Sequence, residues 1–502
     1  MPARIHTHRN NYKWNKWEFI MTHQSAAAQP AEQRLARNSI GISHIVFFVV
    51  AAAAPLTAVV GASPAAFAFG NGPGVPGAFV LAGLLYIIFS AGFTAMSRHV
   101  GGTGAFYTYI ALGLGKPAAV GGALISLLTY SSVQLAVYAL FGVFLSDMIG
   151  QLGLHAPWFV WALVVLVLVH LAGRRNIAFS GKILGLAMVL EFVILAFLNI
   201  GILMQGGGPE GMTLQNFAPS VVFTPGLGIA LVFVIGSFIG FESTAIFAEE
   251  ARDPAKTIPR ATYIAVFLIT AFYAFSTWAI AQYYGFSQIQ GAAANNITGM
   301  YFVAAESILG KWSVLLMNGL LALSFFACIL SFHNTLNRYF FALGREGLLS
   351  KSLARVHPVH GSPATAGNLQ SASAAIVLLA FVAGGADGFT VVFSWMSALA
   401  VLGIVGVQIL VSFAIIAYFR RNHTHDHSAM VTLVMPVIAL LGLVVAFGLV
   451  WMNLTVLAGS EHIVVKSFPW IIVATGAVGA LLAHTIRSRK PDLYQNLGRV
   501  FE

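Results

Sequence analysis

Gly236-Ser237-Phe238-Ile239-Gly240-Phe241-Glu242 interrupts an apolar run that extends from 226 to 248, a run long enough to cross a bilayer. Small residues in mid-span have two readings: close packing against a neighbouring helix, or a break in the helix itself. A break is costly. Unwinding in hydrocarbon strips backbone N–H and C=O groups of their partners, at several kcal/mol each, unless a ligand, an ion or water supplies new ones. Gly61-Ala62-Ser63-Pro64 interrupts another apolar run, 42–69, in the same manner. Counted along the chain, these are the first and sixth runs. A matched pair five helices apart points to a five-plus-five inverted repeat with its binding site at the midplane. With 50 glycines in the chain, one small-residue pair alone carries little weight.

Outward from these segments, apolar stretches lie at about 42–69, 78–97, 118–146, 157–173, 183–204, 226–248, 261–284, 312–343, 365–384, 389–419, 431–452 and 468–486. Twelve such runs in 502 residues, with 58% hydrophobic and 8% charged residues, predict an all-α polytopic membrane protein. A soluble domain carries about 25% charged residues, so secreted, cytosolic and nucleic-acid-binding classes are excluded. The net charge of +10 finds its explanation in the loops. Arg98, Lys116, Arg174, Arg175, Lys182, Arg252, Lys256, Arg260, Arg345, Lys351, Arg355, Arg420 and Arg421 fall in even-numbered gaps, and the odd-numbered gaps hold only Lys311 and Lys466. The positive-inside rule then places both termini in the cytoplasm, with the protein in the plasma (inner) membrane.

The expected organisation is a cytoplasmic tail over 1–40, five spans over 41–205, five more over 206–419, two extra helices over 420–486 and a cytoplasmic tail over 487–502. No secretory signal pattern precedes the first run, and Met21 serves as well as Met1 for the start. Cys328 is the single cysteine, so no intramolecular disulfide and no cysteine metal site is expected. His423-Thr-His425-Asp-His427 could grip a divalent metal weakly, but a short polar turn between spans is the simpler reading. Neither a resident metal nor a cofactor is expected.

Three segments carry a family resemblance. Gly240-Phe241-Glu242-Ser243-Thr244-Ala245, followed by Glu249-Glu250-Ala251-Arg252-Asp253-Pro254-Ala255-Lys256-Thr257-Ile258-Pro259-Arg260-Ala261, resembles the sixth helix and following loop of the amino acid, polyamine and organocation (APC) superfamily. Asn334-Thr-Leu-Asn337-Arg338 and Ala342-Leu-Gly344-Arg345-Glu346-Gly347 are similar to its eighth-helix end, where Ser-Arg and Arg-Asp-Gly are usual. Gly101-Gly102-Thr103-Gly104-Ala105-Phe106-Tyr107 resembles the start of its third helix. The resemblance covers residues 40–486 and implies a bacterial-type amino acid permease with broken first and sixth helices. The chain departs from the family at Gly61-Ala62-Ser63, where Gly-Ser-Gly or Gly-Ala-Gly is common. It departs again at Glu191, the position of a lysine in proton-coupled relatives.

The candidate site follows. Freed N–H groups at Gly61, Ala62 and Ser63 are expected to hold a substrate carboxylate, opposite Gly236, Ser237, Phe238, Gly240 and Glu242, with Phe241 as an aromatic gate. Ser131, Ser132 and Gln134 on the third helix, and Ser394 and Trp395 on the tenth, are candidates for the side-chain pocket. Glu191 and Glu242 alone lie clearly inside spans. A carboxyl at that depth is a functional candidate by default, as a proton carrier, and Glu242 also as an amine counterion. The plainer alternatives are a Glu242 that caps freed N–H groups and a Glu191 bonded to a neighbouring helix. Sodium coupling would instead use Ser324 and Ser331. The expected function is proton-coupled import of an amino acid or small amine. Alternatives are a polyamine or organocation carrier, an exchanger, or a transporter-like sensor. An enzyme is disfavoured, since no paired carboxylates, intramembrane His-x-x-x-His or Gly-x-Ser-x-Gly occur, and ATP-driven pumping is disfavoured by the absence of a nucleotide loop.

Overall fold

The computed structural model describes residues 41–99, 105–175, 181–249, 251–358, 360, 362–422, 428–458 and 461–497. Gly101–Gly104, Glu250, the His423–His427 cluster, the expected N-terminal tail 1–40 and the last residues of the C-terminal one, 498–502, lie outside the described residues. Among the described residues every regular element is helical. Ten helices among these residues are long and apolar enough to cross a membrane: Gly72–Ser97, Lys116–Gly150, Gly185–Met204, Leu227–Ala245, Pro254–Tyr284, Lys311–Arg345, Ala364–Ala383, Gly388–Asn422, Met430–Met452 and Phe468–Arg489. They coincide with the second, third and fifth to twelfth expected runs. The fourth is present as the 17-residue Trp158–Arg174, and the first is divided between Ile42–Ala53 and Ser63–Phe69 with a wide helical turn, Thr57–Ala62, between them.

The first span breaks at a different place from the one expected. Its interruption is not at Gly61-Ala62-Ser63-Pro64 but at Ala54, whose φ of 47° lies in the left-handed region. The cause is Pro55: it has no N–H to continue the helix, and its ring disfavours helical geometry in the residue before it. Gly61-Ala62-Ser63-Pro64 instead widens the helix by one residue per turn, with Ser63 N–H donating to Ala58 C=O and Ser63 Oγ to Val59 C=O at 2.6 Å. The wide turn accommodates Pro64 without unwinding.

The sixth span breaks where the sequence places it. Helix Leu227–Gly236 ends, the backbone turns through Ser237–Gly240, and a tighter helix runs over Phe241–Glu249. Gly240 has φ of 113°, a conformation that strains any residue with a Cβ.

Glycines set how closely the spans approach. A Cβ on Gly113 would lie 2.2 Å from the Ala414 carbonyl oxygen of the tenth span, and one on Gly142 would lie 2.3 Å from that of Trp158 at the start of the fourth. Packing between backbones without side chains is the usual means of helix association where no hydrophobic force acts between apolar surfaces. Polar side chains add ties: Asn199 Nδ2 donates to Ser276 Oγ at 2.8 Å between the fifth and seventh spans, and His170 Nδ1 pairs with Ser371 Oγ at 3.0 Å between the fourth and ninth.

Candidate functional site

A cavity lies where the two broken spans meet the third, eighth and tenth. The first span contributes Thr57, Ala58 and Ala62, and the sixth contributes Phe233, Gly236 and Ser237. Val133, Ala136, Val137 and Leu140 form one face of the third span, at helical spacing. Cys328 and Phe332 come from the eighth, and Phe393, Ser397, Ala400 and Val401 from the tenth. The cavity has a volume of about 70 Å³. Phe233 stacks on Phe393 with ring centroids 5.5 Å apart, and the row of rings continues through Phe389 to Phe69.

Each break is held by a buried carboxyl. Glu191 Oε2 accepts the Leu56 N–H at 3.1 Å and the Ser324 hydroxyl at 2.9 Å. Thr57 Oγ1 in turn donates to Ser324 Oγ at 3.2 Å, which ties the first, fifth and eighth spans together. Glu242 Oε2 accepts the Gly240 N–H at 2.9 Å, and its Oε1 accepts the Tyr130 hydroxyl at 2.7 Å from the third span. The donors that unwinding frees are thus met from inside the protein, as buried backbone polar groups require.

A model of the amino acid permease family matches residues 35–478. The chain belongs to that family. Among curated relatives, this permease is 26% identical over 327 residues to the branched-chain amino acid permease BcaP of Bacillus subtilis, covering 58% of this chain and 64% of that one. It is 31% identical over 215 residues to the Asc-type amino acid transporter 1 of Mus musculus, 42% of this chain and 38% of that one. It is 25% identical over 297 residues to the low-affinity putrescine importer PlaP of Escherichia coli, 58% and 64% respectively. The match spans less than two thirds of each of these relatives.

Of the residues singled out in this permease, Ala62, Gly236 and Ser237 line the cavity. Gly61 does not: a Cβ there would meet Phe325 at 3.1 Å and Leu140 at 3.2 Å. Ser63 is turned to the Tyr301 hydroxyl at 2.9 Å, and its backbone N–H is already bonded within the wide turn. Phe238 and Phe241 are buried behind the cavity, against Tyr86 at 5.1 and 4.9 Å. Gly240 and Glu242 stand behind it too, joined to each other and to Tyr130.

The third-span polar residues are likewise outside the lining. Ser132 donates to Leu128 C=O, Gln134 meets Tyr138 and Gln370, and Ser131 is half-buried beside them. On the tenth span Ser394 bonds to Phe389 C=O, and Trp395 packs against Phe381 and His462. Ser324 belongs to the Glu191 cluster, and Ser331 lies outside its hydrogen bonds.

Sequence reasoning missed Thr57, Tyr130, Phe233 and Phe393. Pro55 in mid-run was the available sign for the first break, and with it for Thr57. Nothing local distinguishes Phe233 from the chain's 38 other phenylalanines, since the total is 39.

Proposed function

We propose that this permease is a secondary active transporter that imports an amino acid or a related small amine, coupled to protons and working by alternating access. The observation that carries the reading is a cavity shared by two broken spans, each with a freed N–H gripped by a buried carboxyl. A carboxyl that gains a proton accepts hydrogen bonds less strongly, so its grip on the break weakens. Protonation of Glu191 or Glu242 would thereby loosen the half-helices that must tilt when access alternates. The relatives' names, which mention branched-chain amino acids and putrescine, support an amino acid or amine as cargo. In this reading the two sets of five spans, 41–205 and 206–419, are the inverted repeats, and both termini lie in the cytoplasm.

The test is uptake by proteoliposomes of purified protein under an imposed pH gradient, with a sodium gradient in parallel. Acidification of the outer compartment is expected to drive accumulation. Glu191, Ser324 and Thr57 also present oxygens of the kind sodium takes. Uptake that followed sodium and ignored pH would replace the proton with that ion. Binding without counterflow would make the protein a sensor.

A further inference from the structure

We propose that the cargo is a neutral amino acid with a large apolar side chain, its amino and carboxylate groups beside the two breaks and its side chain against the third span. This rests on the transporter reading above and narrows it. Among the described residues, no Asp, Glu, Lys, Arg or His lines the cavity. Its side-chain hydroxyls are Thr57, Ser237 and Ser397, and the first two are engaged, Thr57 with Ser324 and Ser237 with Phe233 C=O at 2.8 Å. Both intramembrane carboxyls stand behind the walls, on backbone N–H groups.

A diamine or a lysine side chain would bring an extra ammonium into this space with no counter-charge, and an acidic side chain would bring an unpaired carboxylate. Burying an unpaired charge is far costlier than burying a neutral polar group. A zwitterion is different, because its two charges offset one another and meet the polar side of the site, where Thr57 and Ser237 flank the breaks. The facing wall of the third span is wholly apolar: Val133, Ala136, Val137 and Leu140.

Size points the same way. Ala136 and Ala400 leave room on the third and tenth spans, and a Cβ on Gly236 would meet only Val401, at 3.8 Å. Phe332 and Phe393 supply broad apolar surface. A branched or aromatic side chain fills such space, and alanine would leave it empty.

The experiment is a melting-point screen of the purified full-length protein with leucine, phenylalanine, alanine, lysine, glutamate and putrescine, followed by competition of each against labelled leucine in counterflow. Leucine and phenylalanine are expected to stabilise most, and leucine to compete better than alanine by roughly 10- to 100-fold, as differences of a few methylenes in an apolar pocket allow. Ala136→Leu and, on the tenth span, Ala400→Leu should each narrow that ratio by reducing leucine affinity while sparing alanine. Lysine, glutamate or putrescine ranking above leucine would overturn the cargo class and leave the transporter standing. An absence of both melting shift and counterflow with all six would bring down the transporter reading itself. If neither substitution, in protein that folds, altered the leucine-to-alanine ratio, the side-chain placement would be wrong.

Discussion

Glu191 and Glu242 do the same work at different breaks, each accepting a backbone N–H that its span has set free. Removing such an acceptor leaves a buried donor unsatisfied, at about 1–3 kcal/mol. Glu191→Ala should therefore lower the melting temperature, while Glu191→Gln, whose amide oxygen still accepts from Leu56, should largely preserve it. Calorimetric or fluorescence melting of the purified variants separates the two. Transport separates them differently, because the amide imitates only the protonated form. Glu242→Gln should lose accumulation driven by a pH gradient and keep substrate exchange, which moves no net proton. Accumulation at the wild-type level in Glu242→Gln would remove this carboxyl from coupling. That two carboxyls lie inside spans was legible in the sequence, and a carboxyl there is rare and expensive. Their partners were not. Leu56 and Tyr130 lie 135 and 112 residues away along the chain, and only folding brings them together.

At the level of the element, the two breaks are built by different chemistry. The sixth uses Gly240 at positive φ, and the first uses Ala54 at positive φ ahead of a proline. Gly240→Ala should cost about 1–3 kcal/mol, the usual penalty for a side chain held in a sparsely populated backbone region. Its melting point would be unchanged only if the break were absent or differently shaped. Gly236 sets the opposite expectation, because its missing side chain faces open space rather than backbone. Gly236→Val should fold and melt like the wild type yet lose the melting shift given by substrate. A variant that failed to fold would show that Gly236 is a packing glycine. The contrast explains what could be read in advance. Gly-Ser-Phe-Ile-Gly named the sixth break correctly, whereas Gly-Ala-Ser-Pro misled, because a glycine and a proline can widen a helical turn as readily as end it. The third-span face misled for another reason. Ser131, Ser132 and Gln134 are the polar residues of that stretch, but in a membrane protein polar side chains turn toward other helices, and Val133, Ala136 and Val137 are what remains to face the cavity.

Across the whole molecule, the placement of basic residues and the alternation of the spans are one fact. Arg174, Arg345, Arg420 and Arg421, and Arg487 and Arg489 occupy the last turns of the fourth, eighth, tenth and twelfth spans. Even-numbered spans that alternate in direction with their odd neighbours all end on one side, so these cations gather at one surface. There they also complement the negative ends of the helix dipoles. In the orientation proposed above, retention of Lys and Arg on the cytoplasmic side would make that surface the inner one. In that orientation the long segment between the seventh and eighth spans, which carries the short helices Ile289–Asn295 and Met300–Leu309, would face outward. Glu306 is exposed on it, and Lys351 is exposed beyond the eighth span on the opposite face. In a Cys328→Ser background, which removes the chain's single thiol, Glu306→Cys should react with a membrane-impermeant maleimide in intact cells. Lys351→Cys should react only after permeabilisation. Labelling of both from the same side would break the alternation between the seventh and ninth spans, and with it the proposed orientation.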